Sequence, residues 1–205
     1  MSDPGRYPIP ARVHRVQETI LGSRFVTTLA CAPDPAAAHA FVETIRDEFP
    51  DATHNCWAFV AGPPASTTRI GMSDDREPHG SAGRPMLTAL LHGGVGEIVA
   101  VGTRYFGGVK LGTGGLARAY SGGVKLGLES LPIEDKVERV PVLVTVAYPD
   151  VDAVQRLLVE RDVVVEDEEY GTDVRYRCAV PMSDLGSFRE AVADVTRGAG
   201  SVTDT

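Results

Sequence analysis

The segment from Glu97 to Leu131 constrains the fold more than any other. Glu97-Ile98-Val99-Ala100-Val101 is apolar and β-branched, which predicts a strand running on into Thr103-Arg104-Tyr105-Phe106. The glycine-rich stretch GGVKLGTGG follows at 107–115. Leu116, Tyr120, Val124, Leu128 and Leu131 then recur at spacings of three and four, which predicts a helix from Leu116 to about Leu131, stopped by Pro132. Gly107, Gly108, Gly112, Gly114 and Gly115 leave backbone N–H groups uncovered, and the loop opens onto a helix N-terminus, which favours an anion. Arg104 and Lys110 flank this loop, while Arg118 and Lys125 share a helix face with Gly122 between them. The expectation is a shallow basic strip beside an open loop, suited to a phosphate backbone. The same glycines also suit a tight turn with close helix–strand packing, and the residues alone leave both readings open. The stretch is neither a P-loop nor a dinucleotide fingerprint, because neither Gly-Lys-Ser/Thr nor GxGxxG falls at the required place. GGVKLG recurs at 122–127, inside the predicted helix. Glycines there cost about 1 kcal/mol each against alanine, so either the helix packs closely at that point or the repetition is coincidence.

Upstream, Ser23 to Leu29 predicts a strand, residues 35–48 a helix capped by Asp34, and His54 to Val60 another strand. Pro85 suits the first turn of a short helix through Leu91, ended by Gly93-Gly94. Downstream, the charged residues 134–139 read as a linker. Strand 140–147, helix 150–160, strands 162–170 and 174–180, helix 184–197 and a short strand near Val202 then follow in ferredoxin-like order, with a turn at Tyr170 to Asp173. The fold class is therefore α+β in two domains, 1–133 and 134–205.

The polar loop 73–83 gathers Asp74, Asp75 and Glu77, residue types that hold a divalent ion or orient water, although adjacent acids in a loop are more often solvated surface. Gly80, Ser81 and Gly83, with Arg84, form a second opening onto a helix N-terminus, expected to face the glycine loop across a groove. His54 and Cys56 alternate on one strand face; the commoner reading of such a pair is a buried thiol beside a hydrogen-bonded histidine. No HExxH, GxSxG or kinase set occurs, and no catalytic group, metal set or cofactor is expected.

Cys31, Cys56 and Cys178 include no CxxC pair, which argues against a disulfide framework or a structural zinc. The first ten residues lack the apolar core of a leader peptide and no apolar run would span a bilayer, so the expectation is a cytoplasmic protein that does not enter membranes. Residues 1–133 carry 12 basic and 12 acidic side chains, and 134–205 carry 8 and 16, so the net charge of −8 belongs to the C-terminal third. If nucleic acid is a partner, the neutral N-terminal part must contact it.

Ser23-Arg24-Phe25, DATHNCWA at 51–58, GSAGRPML at 80–87 and TRYFGGVKLGTGGLARAYS at 103–121 resemble the IMPACT/YigZ family. The resemblance covers nearly the whole chain. It implies an N-terminal domain related to domain 2 of a small-subunit ribosomal protein and to domain IV of elongation factor G. It also implies a ferredoxin-like C-terminal domain similar to domain V of that factor. Eukaryotic members are translation regulators, and no enzymatic activity is established for the family. The family pattern Asp-Asp-Gly-Glu-Pro-Ser-Gly is altered here, with Arg76 for the glycine and His79 for the serine. Three functions remain open: a translation-linked protein contacting RNA or ribosome-associated proteins, a nucleotide-binding enzyme, and a regulator that binds only protein. The residues do not specify an oligomeric state.

Overall fold

Alternation along the strands sets the architecture. The computed structural model describes residues 5–205; residues 1–4, part of the stretch read for a leader, lie outside the described residues. The strands are β1 (Arg6–Pro10), β2 (His14–Ile20), β3 (Ser23–Cys31), β4 (His54–Val60), β5 (Ile70–Ser73), β6 (Ile98–Tyr105), β7 (Ile133–Val137), β8 (Arg139–Val146), β9 (Val164–Tyr170), β10 (Val174–Pro181) and β11 (Ser201–Asp204). The helices are α1 (Pro35–Glu48), α2 (Gly83–Leu91), α3 (Gly112–Ser130), α4 (Val151–Glu160) and α5 (Leu185–Val195). Two compact units result, Tyr7–Asp135 and Lys136–Thr205, the latter joined by Gly5 and Arg6.

The first unit is built on a five-stranded sheet in the order β2-β3-β6-β4-β5, antiparallel throughout. One face carries Phe25, Leu29, Cys56, Ala58, Ile98 and Ala100 against α2 and α3. The other carries Ala30, Phe59, Val99 and Val101 against α1. Coverage on both faces is why β6 reads as a continuous apolar run rather than an alternating one. Asp34 caps α1 as expected, its carboxylate accepting from the Ala37 amide at 2.8 Å. The second unit is the expected ferredoxin-like βαββαβ, with sheet order β11-β8-β10-β9. Its helices lay Val154, Leu158, Phe188 and Val192 on Val142, Val144, Tyr176 and Cys178. The fold is α+β.

Four strands escape the sequence pattern. β2 is a sheet edge whose residues alternate only between half-buried and exposed, and β5 has four residues. Residues 134–139 contain the boundary between the two units, as expected of a linker, but they are not irregular. They hold most of β7, which pairs with β1, and the start of β8. Glu134 and Asp135 are exposed on β7, so charge hides the strand. α3 begins at Gly112, four residues before the expected Leu116, so Gly112, Gly114 and Gly115 belong to its first turn rather than to a loop.

The second GGVKLG copy has a packing role. A Cβ at Gly123 would sit 2.3 Å from Thr27 Oγ1, and one at Gly127 would sit 2.7 Å from Leu29 Cδ1, so α3 rests directly on β3. A Cβ at Gly122 would meet open space. The two neighbours should therefore respond oppositely to alanine. Gly122→Ala is expected to stabilise by up to about 1 kcal/mol through helix propensity. Gly123→Ala is expected to destabilise by about 1–3 kcal/mol through overpacking. Urea unfolding of the two variants checks both signs.

Candidate functional site

The end of the sheet nearest the polar loop is organised around one buried carboxylate. In the register, Arg104 of β6 lies between Phe25 of β3 and His54 of β4. Glu77 reaches this spot from the loop: its Oε1 accepts from Arg104 Nη1 at 2.7 Å and from the Tyr120 hydroxyl at 2.8 Å. Both members of the ion pair are withdrawn from water, with side-chain exposures of 6% and 3%. Arg104 Nη2 donates to Ser23 Oγ at 3.3 Å, and buried Arg104 Nε has no hydrogen-bond partner among the described residues. His54 Nδ1 donates to the Asp75 carbonyl at 2.8 Å, which leaves Nε2 facing Glu77 Oε2 at 3.8 Å. Arg104 is thus an internal counter-ion and does not belong to an exposed basic strip, which corrects the sequence expectation.

Cys56 is buried, and its thiol donates to the Asp74 carbonyl at 3.0 Å. Burial pushes this thiol up, and the neighbouring carboxylates Glu77, Asp75 and Asp74 add to the effect. It therefore lacks the lowered pKa of a nucleophilic cysteine. The acids of the polar loop are likewise committed. Asp74 accepts from the amides of Gly80 at 2.7 Å, Ala82 at 3.0 Å and Gly83 at 2.8 Å, and so caps α2 from a distance in sequence. The second helix opening at Gly80, Ser81 and Gly83 is thereby filled by the protein's own carboxylate, against expectation. Asp75 accepts from the Asn55 amide at 2.7 Å. Among the described residues, no group of three or more His, Cys, Asp or Glu is arranged to hold a metal ion.

α3 differs from α2: no side chain caps it, and Gly112, Thr113 and Gly114 are exposed at its start. Gly107 serves close packing, because a Cβ there would lie 1.9 Å from the Gly22 carbonyl carbon. Gly108 turns the chain with φ of +86°. A groove of about 700 Å³ runs between α2 and α3. Arg84 lines it from α2, Arg118 and Lys125 from α3, over a floor that includes Pro85, Ala89 and Leu128. All three cations are exposed, and among the described residues none has an ion-pair partner. Glu129 lines the same groove. A Cβ at Gly114 would be 3.9 Å from the Arg118 guanidinium, so that side chain reaches back over the start of α3. Lys110 is exposed in the preceding loop and does not line the groove. The sequence expectation of a groove with Arg84 across from Arg118 and Lys125 matches this lining, whereas Arg104 and Lys110, also expected along it, lie outside.

Two consequences are measurable. Burial raises the Asp74 carboxyl, but the amides of Gly80, Gly83 and Ala82 together outweigh it, so the group titrates below the ordinary carboxylate range. Its contribution is present above the unfolded pKa of about 3.9 and is lost as pH falls through the lower folded value. Asp74→Ala should cost about 1–2 kcal/mol at pH 7, and urea midpoints of variant and wild type should converge below about pH 4. Arg76 holds φ of +70°, a left-handed conformation that suits glycine, directly after Asp75 at +39°. Arg76→Gly should therefore raise stability by about 1 kcal/mol in the same assay.

The comparisons agree on kinship. The Impact N-terminal domain matches residues 21–129, and a domain of unknown function (DUF1949) matches 144–199. The IMPACT family member YigZ of Escherichia coli is 43% identical over 190 residues, covering 93% of each chain. The IMPACT family member YvyE of Bacillus subtilis is 32% identical over 183 residues, covering 89% of this chain and 83% of that one. A crystal structure described as that of a hypothetical protein superposes with a TM-score of 0.72 at 41% identity, covering 98% of both chains. Among the described residues no helix is long and apolar enough to cross a membrane. With both family domains matched in order and such relatives along almost its full length, the chain belongs to the IMPACT family.

Proposed function

We propose that this chain is a non-enzymatic binding protein that holds RNA in the groove between α2 and α3. The observation that carries the reading is the set of three unpaired cations, Arg84, Arg118 and Lys125, on the two walls of one groove. Their surroundings favour phosphate. Residues 78–129 contain two acidic side chains, Glu97 and Glu129. Glu97 is buried and accepts from the Tyr7 hydroxyl at 3.1 Å, so Glu129 alone faces the three cations from the groove lining. The open amides of Gly112, Thr113 and Gly114 at the start of α3 add partial positive charge beside Arg118.

A catalytic reading has less support. Glu77 is bound to Arg104 and Tyr120, Asp74 caps a helix, and the Cys56 thiol is held protonated by burial. A binding role linked to translation accords with the resemblance of both domains to parts of elongation factor G. The C-terminal unit, which carries the whole excess of acid, is expected to add nothing to polyanion affinity.

Titration of fluorescent RNA at several salt concentrations tests the proposal. Each phosphate contact contributes about 0.7 to the slope of log affinity against log salt for a single strand. Arg118→Ala with Lys125→Ala should lower affinity and flatten that slope by about 1.4. Stability should hardly change, because exposed unpaired charges contribute little to folding. Retention of the full slope by the double variant, or no RNA binding by wild type at low salt, would remove the groove as a phosphate site.

A further inference from the structure

The loop between β6 and α3 displays an aromatic ring for which neither the fold nor the groove has a use. Phe106 is 49% exposed, and its neighbours Val109 and Leu21 are 49% and 62% exposed. Gly107 packs on Gly22, so the Leu21 turn and the Phe106 loop form one projecting tip. Apolar residues exposed singly are ordinary on protein surfaces, but three on one tip are not.

The ring is also fixed in place. The Phe106 amide donates to Thr53 Oγ1 at 3.1 Å, and the Gly107 amide donates to Ser23 Oγ at 3.1 Å. Behind the ring, the Arg104 guanidinium lies 5.6 Å from its centroid and 5.4 Å from that of Phe25. Since Glu77 anchors Arg104, the ring has a rigid backing and a solvent-facing side. The charge around the tip favours a polyanion. Lys110 is exposed four residues on, and the Arg24 guanidinium lies 4.0 Å from the Tyr105 ring. Of the carboxylates at this end, Asp51 accepts from the Tyr105 hydroxyl at 2.9 Å, and Glu18 stands opposite Phe25 on the edge strand β2.

From these features we infer that Phe106 is a stacking platform for an unpaired nucleobase, and that the RNA held in the groove is single-stranded. The inference rests on the reading of the groove as a phosphate site and names the class of RNA it takes. Every base has a π-face, and a base within a duplex does not expose it, so an exposed rigid ring selects single strands without selecting sequence. The loop that carries the ring leads directly into α3, the helix that presents Arg118 and Lys125 to the groove.

The test compares a single-stranded oligoadenylate with an RNA duplex of equal length, in titrations with wild type, Phe106→Ala, Phe106→Leu and Phe106→Trp. Alanine should weaken single-strand binding by about ten-fold, within the range for loss of one stacked base. The salt slope and the duplex affinity should stay unchanged. Leucine keeps apolar bulk without a ring and should lose nearly as much, while tryptophan should restore binding. The indole of Phe106→Trp should also be quenched by the oligomer, whereas Trp57, the chain's one tryptophan, which stacks on Phe59 at 5.8 Å, should not respond. Full single-strand affinity in Phe106→Ala or Phe106→Leu, with the slope still lowered by Arg118→Ala and Lys125→Ala, would overturn stacking and leave the groove standing. Equal weakening on both RNAs would overturn the single-strand assignment, and no binding of either RNA by wild type would overturn both readings.

Discussion

The N-terminal unit depends on the buried ion pair between Glu77 and Arg104. Two charges lose several kcal/mol each on leaving water, and the loss is offset only when geometry and further hydrogen bonds are good. Here one carboxylate oxygen receives both the guanidinium and the Tyr120 hydroxyl, so β6, α3 and the polar loop meet on a single atom. Ser23 of β3 takes a second guanidinium nitrogen, and His54 of β4 approaches the other carboxylate oxygen. Residues that join separate elements through one buried charge are costly to change singly, because the partner left behind is uncompensated.

That anchor also determines what remains exposed. With Glu77 inside, the loop turns back so that Asp74 occupies the start of α2, and two consecutive non-glycine residues adopt positive φ to make the turn. The anchored loop fixes α2, and α2 packs on α3 to leave a groove between them. The acids of the polar loop are therefore used internally, while Arg84, Arg118 and Lys125 on the groove walls are not, and Glu129 is the one carboxylate that lines the groove among the described residues. A site of this kind owes its sign to which charges the fold consumes as much as to which it presents.

Local features were legible in the sequence and distant pairings were not. The Asp34 cap, the apolar stripe of α3 and the whole ferredoxin-like unit follow from spacings of a few residues, which a pattern records. Arg104 reads as a basic loop-edge residue because its partner lies 27 positions upstream. Asp74 reads as solvated acid because the amides that it binds begin six residues later. β7 reads as linker because its charged side chains face water while its backbone pairs with β1, more than a hundred residues upstream. Arg84 and Arg118 could be expected across one groove because each sits at the start of an expected helix, but that Pro85, Ala89 and Leu128 line it with them follows only from the packing of α2 on α3.

The glycines of α3 bear on how the unit assembles. Six of its nineteen residues are glycine, a content that costs about 5 kcal/mol of helix propensity relative to alanine. Such a segment has little tendency to nucleate alone, and short helices are marginal in water even with good sequences. α3 is thus a helix by virtue of its seat on β3, where Gly123 and Gly127 let the two backbones approach. α3 therefore persists only on the sheet, so the groove wall that carries Arg118 and Lys125 owes its order to β3.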